Sequence, residues 1–388
     1  MGIVSHFFIF AYMNEKDKFQ EEVSNLSKIH PLLVVQSATG TGKGKAVLMS
    51  IILDTSNKQW LILVPEILQI ENLKEEIIKQ GFEYLLQHKI KDIICYASFK
   101  QYTGTKYNLW LNEAHRLSEL KEDIASTVKF DRIIADSATI PYNVKNRLNS
   151  LGKFYYYELS LQEAIDRKIL PEPIIYKIPV ELDNKIKRNS KQYGKIVSLL
   201  TDKSFAEVLD KDLEYWKKRY SENPNDKWIT GILNKTGGKR KNFFTSKKTE
   251  CLKNLLKTLE NKRLVCFTGS LEQCDLIGEN NAIHSKKTKK HNLETFKKFN
   301  NKEINSIFLN KMGREGLNLV DIEVGIMVQL GTGNDEGLEF LQILGRSIRA
   351  IKPEFYIFYC KNTKDEDFLQ KALKHINPKY IKEWKTIN

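Results

Sequence analysis

The chain has 388 residues, a formal net charge of +14 at pH 7 and 41% hydrophobic residues, which excludes a largely disordered protein and allows two or three domains. The five cysteines form no CxxC pair, which argues against a zinc site and favours a reducing, cytoplasmic setting. No apolar segment is long enough to span a membrane. The positive charge favours nucleic acid as partner, ahead of an acidic membrane surface, although a compositional bias toward lysine explains it equally well.

In the first part of the chain, short apolar segments alternate with polar segments that have helical character. Helices are predicted from residue 45 to about residue 53 and through residue 79. The apolar segments are residues 31–36, 60–64, 92–96, 109–111 and 131–135. Continuous apolar strands separated by helices predict a parallel sheet with helices on both faces.

The alternation stops near residue 170. Three prolines within residues 170–179 predict an extended connector. Residues 183–245 are rich in lysine and asparagine, with a helical pattern over 195–213 and little indication of strands, and residues 237–241 are predicted to form a flexible basic loop. Three aromatic residues of this segment fit either stacking on bases or a small helical core; they are Trp216, Tyr220 and Trp228.

The alternation of strands and helices returns at Thr249. Further apolar segments occupy residues 263–267, 306–309, 324–329 and 355–359. The sequence therefore predicts an α/β protein with two mainly parallel sheets flanked by helices and a helical, lysine-rich segment between or within them. The predicted boundaries are 1–170, 171–248 and 249–388.

Residues 37–44, SATGTGKG, lie between an apolar segment and a helix, as a phosphate-binding loop requires. Glycines allow backbone N–H groups to surround phosphate oxygens, the helix N-terminus adds partial positive charge, and Lys43 can reach the β- and γ-phosphates. The residue after the lysine is usually Ser or Thr, whose hydroxyl binds Mg²⁺, whereas Gly44 has no side chain. The predicted ATP-binding residues of this loop are Thr39, Gly40, Thr41, Gly42, Lys43 and Gly44.

Residues 112–115, NEAH, follow a short apolar strand and resemble the DEAH box of superfamily 2 helicases. The resemblance implies that Glu113 polarises the water that attacks ATP and that Asn112 and Glu113 lie at the Mg²⁺ ion. Asn112 stands where the family has an acid. It can accept a hydrogen bond from a metal-bound water, but it carries no charge.

Two further motifs follow in the order found in these helicases. Residues 137–139 resemble the SAT motif, so Ser137 and Thr139, together with His115, are expected to couple the ATP site to strand movement. Residues 342–349, QILGRSIR, resemble the QxxGRxxR motif. Guanidinium groups suit the charge that develops on a transferring phosphoryl group, so Arg346 and Arg349 are the candidate arginine fingers, with Gln342 beside them.

Weaker matches complete the series. Gln20 stands where relatives carry an adenine-reading glutamine, and Gly316 lies in a segment that resembles motif V, which touches both nucleotide and nucleic acid. The resemblance implies nucleic-acid contacts at four other residues, Pro65, Ser98, Thr268 and Ser270.

The resemblance runs from Gln20 to Arg349 and identifies the chain as a relative of superfamily 2 helicases with two tandem RecA-like domains. It implies an ATP- and Mg²⁺-dependent helicase or translocase that acts on nucleic acid. The connector at residues 161–171 and the QxxGRxxR motif favour DNA over RNA, and the compact size fits a phage or mobile element. Two alternatives stay open. Because Gly44 and Asn112 both alter the expected Mg²⁺ ligands, the chain fits a non-hydrolysing, ATP-responsive binder of nucleic acid, and it also fits a translocase subunit of a larger complex.

Overall fold

The computed structural model describes residues 14–102, 107–119, 130–192, 195–310, 319, 321–330, 352–374 and 376–384. These residues divide into two compact units, the first ending at Glu172 and the second beginning at Pro173. Across the described ranges, every helix is either too short or too polar to cross a membrane.

The described part of the first unit contains a parallel sheet of six strands. The strands are β1 (Leu32–Ser37), β2 (Trp60–Val64), β3 (Ile90–Cys95), β4 (Asn108–Asn112), β5 (Ile133–Ser137) and β6 (Tyr155–Leu159). Their order is β3-β2-β4-β5-β1-β6. All five residues of β2 are buried, as expected for a strand covered on both faces.

Helices flank this first sheet. They are α1 (Glu15–Ile29), α2 (Lys43–Leu53), α3 (Ile67–Lys79), α4 (Glu83–His88), α5 (Tyr142–Leu151) and α6 (Leu161–Asp166), with 3₁₀ helices at Tyr96–Tyr102 and Ala114–Glu119. Because the strands are parallel, the residues that follow β1, β4 and β5 lie along one edge of the sheet, where open α/β sheets place their ligands.

The second unit contains another parallel sheet, of seven strands in its described part, and a separate antiparallel strand pair. The strands are β7 (Ile174–Val180), β8 (Arg188–Gln192), β9 (Lys195–Leu200), β10 (Leu264–Phe267), β11 (Ala282–His284), β12 (Ser306–Asn310), β13 (Val324–Met327), β14 (Glu354–Cys360) and β15 (Ile381–Glu383). The sheet order is β11-β12-β10-β13-β14-β7-β15, and β8 pairs with β9.

The helices of the second unit are α7 (Asp202–Glu222), α8 (Lys227–Thr258), α9 (Leu271–Gly278), α10 (Lys289–Asn300) and α11 (Lys364–Leu373), with 3₁₀ helices at Glu279–Asn281 and Pro378–Tyr380. The prediction of two α/β units with parallel sheets and flanking helices is confirmed.

The predicted extended connector is extended, but it is not a free linker. Residues 174–180 form β7, which lies between β14 and β15 inside the second sheet. Proline has no backbone N–H to donate to a neighbouring strand. Pro179 lies beyond Lys177, the last residue of β7 that pairs with β15, so it does not interrupt that pairing.

The prediction of a flexible loop at residues 237–241 was wrong, because these residues lie within the 32-residue helix α8. Arg240 is fully buried and pairs with Asp210 of α7. Its guanidinium carbon also lies 4.4 Å from the centroid of the Phe244 ring and 5.1 Å from that of Phe368. The helix therefore continues through Gly237 and Gly238, although a glycine inside a helix costs about 1 kcal/mol relative to alanine.

The preceding segment also differs from the prediction. The helical pattern over 195–213 holds only from Asp202, because β8 and β9 form the antiparallel pair before it. Thr201 marks the change, since its hydroxyl oxygen accepts a hydrogen bond from the Ser204 N–H and caps α7.

Candidate functional site

The loop between β1 and α2, predicted to bind phosphate, contains two glycines in left-handed backbone. Gly40 and Gly42 adopt φ values of 94° and 87°, in the left-handed region that glycine occupies without strain. The Thr41 hydroxyl lies 3.0 Å from the Ser37 hydroxyl and donates to the Ala38 carbonyl at 2.8 Å. These bonds hold the loop against the start of α2, whose first backbone N–H groups have no capping side chain at Gly42 and are suited to an anion.

Gln20 of α1 lies against this loop. Its side chain is buried, and Nε2 is 2.4 Å from the position that a Cβ on Gly42 would occupy. Its Oε1 atom is buried without a hydrogen-bond partner among the described residues. A buried amide oxygen without a partner is costly in a folded protein, so this atom is suited to a polar ligand beside the loop.

Lys43 and Glu113 meet at the same edge of the sheet. The Lys43 Nζ atom is 3.9 Å from Glu113 Oε1, and both side chains are largely buried. Glu113 follows β4 with φ of 52°, a left-handed conformation that is uncommon outside glycine and clusters at functional sites. This backbone conformation places the Glu113 carboxylate beside Lys43.

His115 and Ser137 connect two of the motifs. His115 Nδ1 lies 2.9 Å from Ser137 Oγ and 3.5 Å from Glu113 Oε2. The Thr139 N–H donates to Ser137 Oγ at 3.4 Å. The three residues predicted to couple the ATP site to strand movement are thus joined to each other and to Glu113.

A fully buried carboxylate, Asp136, stands beside Asn112, and the motifs gave it no role. Asn112 is the last residue of β4 and is paired in register with Asp136 of β5. Asn112 Nδ2 donates to Asp136 Oδ1 at 3.1 Å, and Trp110 Nε1 donates to the same oxygen at 2.6 Å. Burial raises the pKa of Asp136 to about 6, while Lys43 lowers it. A charged residue inside an otherwise apolar strand was the available sequence signal.

The four predicted nucleic-acid contacts differ in accessibility. Pro65 is buried at the end of β2, and Ser98 is exposed after β3. Thr268 is buried, and its hydroxyl lies 3.1 Å from the Leu309 carbonyl oxygen. The Ser270 hydroxyl accepts a bond from the Gln273 N–H at 3.1 Å and caps α9.

The remaining predicted site residues, Gly316, Gln342, Arg346 and Arg349, lie outside the described residues. Within the described ranges, no group of three or more histidine, cysteine, aspartate and glutamate residues is arranged to hold a metal ion.

Residues 247–351 match the family described as helicase conserved C-terminal domain. No curated protein matches the sequence significantly. Among solved structures, the Pyrococcus furiosus Hef helicase domain is 14% identical with a TM-score of 0.53, covering 91% of this chain and 97% of that one. S. cerevisiae Dbp5 bound to RNA and ADP BeF3 is 11% identical with a TM-score of 0.63, covering 95% and 89%. Mss116p bound to ssRNA and AMP-PNP is 14% identical with a TM-score of 0.54, covering 96% and 76%.

At these identities the structural likeness establishes the fold. The chain has two α/β units with parallel sheets, an architecture that matches the tandem RecA-like domains of these solved helicase structures, and its family match lies in the second unit.

Proposed function

We propose that this chain is a nucleic-acid-dependent ATPase that works as a helicase or translocase. The observation that carries the proposal is the approach of Lys43 and Glu113, 3.9 Å apart, at the loop edge of the first sheet. Phosphoryl transfer requires a cation on the phosphates and a group that positions the attacking water, held close together. The two residues supply these groups. The helicase-like fold supports the proposal that hydrolysis is coupled to movement on nucleic acid.

In this proposal ATP binds along the loop from Thr39 to Gly44. Backbone N–H groups and Lys43 bind the phosphates, and Gln20 binds the base with the buried amide that faces the loop. Glu113 orients the water and accepts its proton. The contact between His115 and Ser137 would couple hydrolysis at Glu113 to movement of the bound nucleic-acid strand.

The residues beside Lys43 also fit a Mg²⁺ ion, because the groups available are carboxylate and amide oxygens. Asn112 and Glu113 would hold it, with waters in place of the hydroxyl that Gly44 lacks. When bound, Mg²⁺ neutralises charge on the phosphates. Asp136, whose Oδ1 accepts a hydrogen bond from Asn112, adds a buried carboxylate oxygen, Oδ2, that has no partner in the described structure.

We also propose a catalytic role for three residues of the QxxGRxxR motif, because of its resemblance to the helicase motif. Arg346 and Arg349 would stabilise charge on the transferring phosphoryl group, with Gln342 positioning them. Gly316 would lie near the nucleotide. We place the reaction inside the cell, since all five cysteines are free thiols.

We propose single-stranded DNA as the nucleic-acid substrate, because the resemblance of the connector and of the QxxGRxxR motif favours DNA. The solved structures of Dbp5 and Mss116p contain RNA, so RNA is the competing substrate. Ser98 is exposed and would contact the nucleic acid directly. Pro65, Thr268 and Ser270 would set the backbone conformation of the turns that contact it.

A strand-displacement assay on tailed duplexes tests the function. Displacement that requires ATP and fails with a non-hydrolysable analogue supports a helicase. Strand-stimulated hydrolysis without displacement indicates a translocase subunit that needs partners. Binding of ATP and strand without hydrolysis would replace the proposal with a non-hydrolysing, ATP-responsive binder.

The two glycines on either side of Lys43 give a matched pair of variants. Gly42→Ala forces a Cβ into left-handed backbone and within 2.4 Å of Gln20 Nε2, so we expect it to weaken ATP binding at least about tenfold. Among the described residues, a Cβ at position 44 would approach only Glu76 Oε1, at 4.0 Å, so Gly44→Ala should bind ATP normally. Equilibrium titration with a fluorescent ATP analogue measures both; equal losses in the two variants would contradict this role of Gly42.

The helices α7 and α8 form a basic surface that we propose as an accessory clamp on the strand. Trp228 is 66% exposed, and its ring lies 5.7 Å from the ring of Trp216. Tyr220 is also exposed, so these aromatics are available for stacking on bases. A deletion of residues 235–241 would disrupt α8 and remove the buried Arg240, so its effect on binding could not be assigned to the basic surface. Point variants on the surface of these helices avoid this problem.

Replacing the exposed Lys218 and Lys227 with alanine is expected to weaken single-strand binding and to lower the salt slope of log K by roughly 1 to 1.5. Lys297→Ala with Lys298→Ala, on exposed positions of α10, is the control of equal charge. Filter binding at several salt concentrations measures the slopes. Identical slopes in the two double variants would refute the clamp.

A further inference from the structure

Asp136 is a buried carboxylate that the fold alone does not account for. It is fully buried at the carboxyl end of β5, and both of its described hydrogen bonds, from Trp110 and Asn112, reach the same oxygen, Oδ1. The second oxygen, Oδ2, is buried with no partner in the described residues. A buried carboxylate oxygen without a donor is costly, so its presence at this position calls for a ligand or a function.

Asp54 shows what a purely structural carboxylate looks like in the same unit. It is buried at the opposite edge of the sheet and likewise accepts bonds from a tryptophan and an asparagine, Trp60 at 2.9 Å and Asn108 at 2.8 Å. Its other oxygen lies 3.3 Å from Arg132 Nε. Both Asp54 oxygens therefore have partners, whereas Oδ2 of Asp136 has none among the described residues.

The bond between Asp136 and Asn112 also determines which way the amide of Asn112 points. An ionised carboxylate only accepts hydrogen bonds, so it selects the NH₂ group of Asn112. The amide oxygen is then the group that Asn112 presents on its other side. Amide and carboxylate oxygens are ligands that Mg²⁺ accepts, either directly or through bound water.

We propose that Asp136 replaces the acid missing at position 112. It would supply the negative charge from the adjacent strand and, by accepting from the Asn112 NH₂ group, would leave the amide oxygen of Asn112 available to a Mg²⁺ ion or its waters. This inference rests on the proposed nucleotide site. In it, Asp136 is a positioning residue that acts through Asn112, comparable to the outer partners that orient metal ligands elsewhere.

Asp136 lies within electrostatic range of both residues proposed to act on ATP. Lys43 favours the charged form of its carboxyl, and Glu113 disfavours it. The arrangement would place a negative charge on the strand next to position 112, where the motif's acid is absent.

Binding of a fluorescent ATP analogue, titrated with Mg²⁺ and in EDTA, tests the inference without requiring hydrolysis. Asp136→Asn is expected to raise the Mg²⁺ concentration that half-maximally tightens binding by about 10- to 100-fold, while leaving binding in EDTA unchanged. Asp54→Asn is the matched control, since it should lower the thermal unfolding midpoint without changing the Mg²⁺ dependence. The exchange variant, Asn112→Asp with Asp136→Asn, keeps one carboxylate and one amide and should recover most of the Mg²⁺ response.

A folded Asp136→Asn protein with the Mg²⁺ dependence of the wild type would overturn the inference. If that variant does not fold, a folded exchange variant that stays defective would overturn it instead. Nucleotide binding that Mg²⁺ does not tighten in the wild-type chain would do the same. These results are distinguishable from failure of the proposed function, which shows as absent strand-stimulated hydrolysis in a wild-type chain that still binds Mg²⁺ and nucleotide.

Discussion

Replacing Glu113 with glutamine is expected to lower ATP turnover by about 10²- to 10⁴-fold, the usual contribution of a general base. Glutamine keeps the size of the side chain but cannot accept the proton of the attacking water. ATP binding should persist, because Lys43 loses only an ion pair at 3.9 Å and remains available to the phosphates. Single-turnover hydrolysis and nucleotide titration separate the two effects.

Glu22→Gln is the matched control for this substitution. Glu22 lies on α1 in the same unit, pairs with Arg167 at 2.9 Å and is partly exposed. Its replacement should leave turnover unchanged. If Glu113→Gln and Glu22→Gln turn over ATP at similar rates, Glu113 does not position the water.

Replacing Lys248 with methionine is expected to destabilise the second unit by about 3–5 kcal/mol, the usual cost of leaving a buried charge uncompensated. Lys248 and Asp365 are both fully buried, with Nζ 2.6 Å from Oδ2. The ammonium also donates to the Val328 carbonyl at 2.9 Å and to Gln329 Oε1 at 2.8 Å, which ties α8 to the region after β13. Urea unfolding followed by circular dichroism measures the loss.

Two further variants identify the cause of that loss. Lys361→Met removes a surface lysine whose Nζ is 2.9 Å from Glu181 Oε1 and should not change the unfolding midpoint. Adding Asp365→Asn to Lys248→Met neutralises the stranded carboxylate and should recover part of the stability. A double variant as unstable as the sum of the two single variants would show that packing, and not charge, dominates.

The residues that converge at the candidate site of the first unit could be predicted from the sequence because their signals are local. The apolar strand, the glycines and Lys43 are contiguous, so the loop at the end of β1 could be read directly. Glu113 and Ser137 each follow an apolar strand, and the rule that parallel strands end at one edge brings them together. Their approach to Lys43 and His115 follows from that topology.

Other features depend on partners far along the chain and were missed for that reason. The helix through residues 237–241 depends on Arg240 meeting Asp210 of α7 and the ring of Phe368. The connector becomes β7 because β14, almost two hundred residues later, pairs with it. Neither interaction leaves a periodic pattern in the local sequence.

Asp136 belongs to the same group. Its partners, Trp110 and Asn112, lie on the neighbouring strand, and only the register of β4 against β5 places them together. The motifs indicated that an acid was missing at position 112. They did not indicate that the adjacent strand carries one.

The most direct measurement is release of phosphate from ATP by the wild-type chain in Mg²⁺, with and without single-stranded DNA and with Glu113→Gln as the background. We expect turnover that DNA stimulates and that the variant abolishes, which would establish an ATP-driven motor in a chain with Gly44 and Asn112. No turnover above the variant, in a chain that binds both ATP and DNA, would contradict the proposed motor.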